Sequence, residues 1–278
     1  MRHSIIIPTR NRNDTLALCL WSIHRSAAHC SIDDYEVIVA DNGSRVPPTH
    51  ETPNVKVLQT LPVTKYFNKP RCQNTAIQEA RGDVLSFLDA DAIVGQKWME
   101  CANYLCDRPD LTKLCYRVRL IPAELKQTLM DADAREATVA VMFDHYDAMD
   151  KRGQGRPQAR YGLAHEAYGR PERKLPHPGP IFGNSQFSLR RDVLDDTRYN
   201  EAYEGRGLED VWMIRELWKR NPSTYKAEIW TDAHHAMFHV ANSLGGNDWF
   251  QSWLTKKNER MYDRSWDGME GLLSDDTK

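Results

Sequence analysis

Along the first 110 residues the apolar positions alternate between strand-like runs and helical spacing. Ser4-Ile5-Ile6-Ile7 is a β-branched run that reads as a buried strand stopped by Pro8, and Thr9 to Asn13 supplies loop and capping residues. Leu16, Cys19, Leu20 and Ile23 then recur at i, i+3, i+4 and i+7, one face of a helix. A second run, Tyr35 to Ala40, ends in the turn-forming Asp41-Asn42-Gly43-Ser44, and Val55-Lys56-Val57-Leu58 is a third strand candidate. The pattern predicts a helix over about 71–81 with Gly82 as its C-terminal cap, then a strand Val84 to Leu88. A further helix carries Trp98, Cys101, Ala102 and Leu105 on one face. Strands alternating with helices imply a mostly parallel central sheet flanked by helices, an α/β fold of Rossmann-like type.

Beyond residue 110 the pattern loosens. Residues 151–174 hold seven basic side chains against two acidic ones, with four glycines and two prolines, and read as a mobile basic loop. Order returns at Ile181 to Arg190, and Gly205-Arg206-Gly207 leads into a helix over Val211, Ile214 and Trp218. Glu209 and Asp210 fall in that helix's first turn, where the macrodipole favours acids. Trp249, Phe250, Trp253 and Leu254 share a helical stripe, so residues 241–278 are expected to form a C-terminal helical extension. The expected division is one domain over 1–240, in two parts of about 1–110 and 111–240 that meet where the pattern loosens, followed by that tail.

Composition narrows the class without naming it. A chain of 278 residues, 41% hydrophobic and 27% charged, can bury a full core. Its net charge of -2 argues against a surface devoted to nucleic acid. The six cysteines contain no Cys-x-x-Cys pair and read as buried free thiols. With no signal segment before Ser4 and no apolar stretch of about 20 residues, a cytoplasmic protein without a transmembrane segment is expected.

The chemistry concentrates where a strand ends. Asp89 and Asp91 follow the apolar run Val84 to Leu88, and ligands in open α/β sheets gather at strand carboxyl ends. In an extended segment, side chains at i and i+2 share a face, so both carboxylates could reach one divalent cation bearing a phosphate. His235 and His239 are four apart, but no Glu lies between them and their flanks look extended, which leaves His239 as the candidate ligand.

Four blocks in order give the chain a resemblance. Ile5 to Arg12, Val37 to Ser44, Ala80 to Asp91 and Gly207-Leu208-Glu209-Asp210 together resemble a family 2 glycosyltransferase with the GT-A fold, over roughly residues 4–240. The resemblance implies that Pro8, Thr9, Arg10 and Asp41 line a nucleotide pocket, with the Asp41 carboxylate accepting from a pyrimidine N–H, which favours a UDP-sugar donor. It implies that Asp89 lies near ribose or metal, that Asp91 ligates Mn²⁺ or Mg²⁺ on the diphosphate, and that His239 is a further ligand. Asp210 matches the catalytic base of an inverting displacement, Glu209 would orient the acceptor or hold the base, and Gly183 and Asn184 begin a block that in similar enzymes lies under the donor sugar and acceptor. Where the family commonly reads Arg-Asn-x-Gly-Ile, this chain reads Gln73-Asn74-Thr75-Ala76-Ile77, and Arg71 or the basic loop could replace the missing phosphate contact. Tyr199-Asn200-Glu201 stands where Phe-Asp-Glu is common.

Three other functions compete with an inverting, metal-dependent glycosyltransferase. A retaining GT-A transferase would place related acids differently. A sugar-phosphate nucleotidyltransferase would carry a Gly-rich loop after the first strand, where this chain has Pro8-Thr9-Arg10-Asn11-Arg12. A non-catalytic nucleotide-sugar binding module would not need Asp89, Asp91, Asp210 and His239 together. The acceptor is open among polysaccharide, lipid-linked glycan, small molecule and nucleic acid.

Overall fold

The structure, a computed structural model, describes residues 2–50, 52, 54–116, 118–121, 125–146, 186–205, 209–220, 225–230, 232–240 and 257. The expected basic loop 151–174, the block residues Gly183 and Asn184, and nearly all of the tail 241–278 lie outside them.

β1 (His3–Thr9), β2 (Tyr35–Asp41), β3 (Val55–Gln59) and β4 (Val84–Phe87) form a parallel ladder in the order β3-β2-β1-β4. Ile5, Ile7, Val37 and Val39 pack on one face with Leu16, Cys19, Leu20 and Ile23 of α1 (Asn13–Cys30). Ile6, Ile38, Ala40, Leu85 and Phe87 pack on the other with Cys72, Ala76 and Ile77 of α2 (Lys69–Glu79). Successive strand residues point to opposite faces, so only a sheet buried on both sides explains runs with no polar alternation. Each fully buried isoleucine or valine contributes about 1.5–3 kcal/mol relative to exposure.

Two sequence expectations fail here, each for a local reason. β1 does not stop at Pro8 but runs to Thr9, paired with Asp41. Ile6 O accepts from Leu88 N on the β4 side, Thr9 O accepts from Asn42 N on the β2 side, and peptide groups alternate between sides. Pro8 therefore faces the side that β4 has already left, where a missing N–H costs nothing. Likewise α2 begins two residues earlier than expected and ends at Glu79 with Ala80 as an extended cap, so Gly82 caps nothing. Glycine is required at 82 because a Cβ there would lie 2.4 Å from the Ser4 backbone nitrogen.

After β4 the chain turns into β5 (Ala92–Val94), a 3-10 turn at Trp98–Glu100 and α3 (Cys101–Cys106), which buries Trp98, Cys101, Ala102 and Leu105 as the spacing predicts. β6 (Lys113–Tyr116) and β7 (Val118–Ile121) lead to α4 (Lys126–Met130) and α5 (Ala132–Asp144). β8 (Phe187–Arg190), α6 (Arg191–Leu194), α7 (Glu209–Arg220), β9 (Ala227–Trp230) and β10 (Met237–Val240) follow. β8 inserts antiparallel between β4 and β6, and β9 closes the seven-stranded order β3-β2-β1-β4-β8-β6-β9. A second sheet, β5-β10-β7, packs Ile93, Ile121, Phe238 and Val240 against Val139 and Met142 of α5 and Leu18 of α1. The six cysteines are all free thiols, four of them buried. Among the described residues, no helix is long and apolar enough to cross a membrane.

Candidate functional site

The two aspartates meet through a turn rather than along a strand. β4 ends at Phe87, Leu88 N still reaches Ile6 O, and Ala92 N folds back to Asp89 O at 3.1 Å. β10 then lays His239 opposite Ala92, while Val240 N donates to Asp91 O at 2.8 Å. That register carries the imidazole to the acids. His239 Nε2 lies 2.8 Å from Asp91 Oδ1 and 3.7 Å from Asp89 Oδ2, and the three residues can offer ligand atoms all within 4.8 Å of one another. Burial acts to lower the His239 pKa, but the Asp89 and Asp91 carboxylates outweigh it and push it up to about 10. Two hard oxygens and one imidazole nitrogen form a donor set that suits Mn²⁺ better than Mg²⁺. His235 instead bridges Asp232 and Glu100, away from this cluster.

A lysine joins these acids to the next pair. Lys69 Nζ lies 2.9 Å from Asp89 Oδ1, 3.2 Å from Glu209 Oε1 and 3.2 Å from Asp210 Oδ2. Asn68 caps α2 by accepting from Arg71 N, and Pro70 follows, so Lys69 is fixed as the first helical residue. Burial opposes its charge, yet Asp210, Asp89 and Glu209 hold its pKa well above the usual lysine value. Asp210 is raised above an ordinary carboxylate, chiefly by burial and also by Glu209 and Asp89, with Lys69 pulling the other way. Its second oxygen, Oδ1, is buried and, among the described residues, accepts no hydrogen bond. A raised carboxylate with one free oxygen has the properties of a general base.

The remaining expected residues sit at the carboxyl ends of β1 and β2. Asp41 is buried, and its carboxylate accepts from Ser44 N and Ser44 Oγ, closing the Asp-Asn-Gly-Ser turn. Thr9 is buried beside it in register with an unpartnered hydroxyl, Pro8 precedes it, and Arg10 donates to Thr64 O at 2.9 Å. Arg71 turns away from the acidic cluster to Glu201 Oε2 at 3.0 Å and Pro62 O at 3.1 Å. Sequence reading missed Lys69, although it carries a signal: a lysine in a helix's first turn opposes the macrodipole and needs acids nearby. Gln73 and Tyr199, which the sequence marked only as departures from the family pattern, are buried, and among the described residues neither end of the Gln73 amide nor the Tyr199 hydroxyl is paired.

Comparison with known proteins follows the same lines. Residues 4–118 match the sequence family described as Glycosyl transferase family 2. Over 101 residues the chain is 30% identical to Glycosyltransferase AglE of Haloferax volcanii, a match covering 35% of this chain and 33% of that protein. The chain thus spans about a third of that curated relative. Residues 1–349 of Staphylococcus aureus TarS share the fold with a TM-score of 0.53 at 15% identity, over 100% of this chain and 76% of that one. The mannosyltransferase PcManGT from Pyrobaculum calidifontis, solved with GDP-Man and Mn²⁺, gives 0.52 at 17% identity, over 89% of this chain and 59% of that one. Residues 4–118 thus resemble glycosyl transferase family 2, and the chain as a whole shares the GT-A fold of these transferases.

Proposed function

We propose that the chain is a metal-dependent glycosyltransferase that moves a sugar from a nucleotide-diphosphate sugar, a UDP-sugar by preference, to an acceptor hydroxyl with inversion. The observation that carries this reading is the convergence of Asp89, Asp91 and His239 beside a buried Asp210 whose Oδ1 is free. The three ligand residues would hold Mn²⁺ or Mg²⁺, which when bound offsets the charge of a departing diphosphate. Asp210 takes the acceptor proton as the new bond to the anomeric carbon forms, and Glu209, beside it at the start of α7, keeps it in place through Lys69. Thr9 and Asp41 would line the nucleoside, a reading supported by their position at the strand ends where such sheets bind ligands. TarS has been solved with UDP-GlcNAc and PcManGT with GDP-Man and Mn²⁺, which supports both donor class and cation. Six free thiols accord with a cytoplasmic site of action.

A thermal-shift panel of UDP- and GDP-sugars, run with and without Mn²⁺, tests the reading. A true donor at 100 times its dissociation constant stabilises the fold by about 2.7 kcal/mol. Stabilisation by no nucleotide sugar under either condition sinks the proposal. NMR assignment of the product's anomeric configuration then distinguishes inversion from retention.

A further inference from the structure

This inference rests on Asp210 being the base. We propose that Lys69 is a positioning residue for it: by holding Asp210 Oδ2 and Asp89 Oδ1 at once, its ammonium fixes the base against the metal-binding acids and presents Asp210 Oδ1 to the acceptor.

The geometry distinguishes the two oxygens of Asp210. Oδ2 is bound to Lys69 at 3.2 Å, whereas Oδ1 is buried without a partner. An unpaired buried carboxylate oxygen is costly, and it persists where something else requires that orientation. Asp89 divides in the same manner, with Oδ1 on Lys69 at 2.9 Å and Oδ2 facing His239 at 3.7 Å. Base, ammonium, Asp89 and His239 therefore form one continuous chain of contacts across α7, α2, the turn after β4 and β10. Lys69 itself has little freedom, being the capped first residue of α2 and buried. Without its charge, Asp89, Glu209 and Asp210 would crowd one buried space as like charges.

The step it serves balances simply. The acceptor O–H proton passes to Asp210 Oδ1, the acceptor oxygen bonds to the anomeric carbon, and the bond from that carbon to the phosphate oxygen breaks with its electron pair leaving on the nucleoside diphosphate. A base displaced by 1 Å can lose about 10²-fold in such a step, although substrate still binds. Lys69 thus acts on turnover through Asp210 and leaves donor affinity nearly unchanged.

The test uses Lys69→Met, Lys69→Arg, Asp210→Asn and the double variant Lys69→Met/Asp210→Asn. UDP-glucose, UDP-N-acetylglucosamine and GDP-mannose serve as donors with Mn²⁺, water serves as acceptor, and thermal melts check folding. Lys69→Met is expected to lower kcat about 10²-fold with donor KM within about threefold, Lys69→Arg to recover part of the loss, and the double variant to match Asp210→Asn. A double variant slower than Asp210→Asn by the full Lys69→Met factor overturns the proposal, as does wild-type kcat in Lys69→Met. Full turnover in Asp210→Asn refutes the base itself, a separate failure. Crystal structures of wild type and Lys69→Met, or Lys69→Gln should the methionine variant not fold, decide the matter even without turnover. The Asp210 carboxylate is expected to rotate once Lys69 is removed, and an unmoved carboxylate overturns the proposal.

Discussion

β1 leads directly to Thr9 and β4, through the turn that follows it, to Asp89 and Asp91, both strands lying in a parallel ladder built within the first 90 residues and extended by β8 beside β4, whereas His239 arrives from the second sheet and Asp210 from the start of α7. In the first region a side chain's position follows from short connections and unbroken apolar runs. In the second it depends on pairings between distant segments. The difference teaches that the acids on the β4 side are set by the sheet, while the groups that make them useful are set by docking. Each region can be perturbed separately.

The largest expected effect comes from the docked side. Asp210→Asn should lower turnover by about 10²–10⁴-fold while leaving Mn²⁺-dependent nucleotide binding intact, read by parallel kinetics and calorimetry. Loss of nucleotide binding in that variant would erase the distinction between the two regions. Next come the cores. Ile6→Ala and Phe238→Ala each remove a fully buried side chain, at about 2–5 kcal/mol in urea unfolding. Only Phe238→Ala should also weaken Mn²⁺ binding by the surviving folded protein, since the neighbouring His239 rides on the same strand. One ligand from each region gives the third comparison: Asp91→Ala and His239→Ala should each forfeit most of the roughly 2.7 kcal/mol that Mn²⁺ with donor adds at 100-fold saturation.

The smallest effect is a pH dependence confined to the parallel ladder. His3 is fully buried, bonded to Ser86 Oγ at 2.6 Å, and burial lowers its pKa to about 3. The unfolded histidine titrates near 6.5, so between those values the unfolded chain binds the extra proton. Stability is unaffected by His3 above pH 6.5 and falls as pH drops below it, by on the order of 2 kcal/mol at pH 5. Urea midpoints of wild type and His3→Gln at pH 7 and pH 5 measure the difference; equal pH slopes in the two proteins would contradict it.

The same contrast explains what could be read from the chain. Ile5 to Ile7, Val37 to Ala40 and the α1 face announce themselves because burial on both sheet faces leaves apolar runs and helical spacing in the sequence. Asp89 and Asp91 were legible as acids at a strand end and His239 as the candidate of the His235/His239 pair in an extended stretch, yet the turn that joins the two acids was not, since nothing in Asp89-Ala90-Asp91 demands one. Pro8 misled because its meaning depends on where β4 ends, a fact of pairing. Lys69 escaped because its partners, Asp89, Glu209 and Asp210, lie on other elements, and only their convergence makes a buried ammonium tolerable.

The register that sets His239 opposite Ala92 joins positions 92 and 239, which are 147 residues apart. Closing so long a loop costs chain entropy before any contact rewards it, so this pairing is expected to form after the ladder of β1 to β4. During synthesis the ladder of β1 to β4 can assemble while Asp89 and Asp91 remain an acidic turn with no imidazole. On the proposed reading of His239 as a metal ligand, a chain stalled before β10 has emerged holds both acids without the imidazole that completes their site.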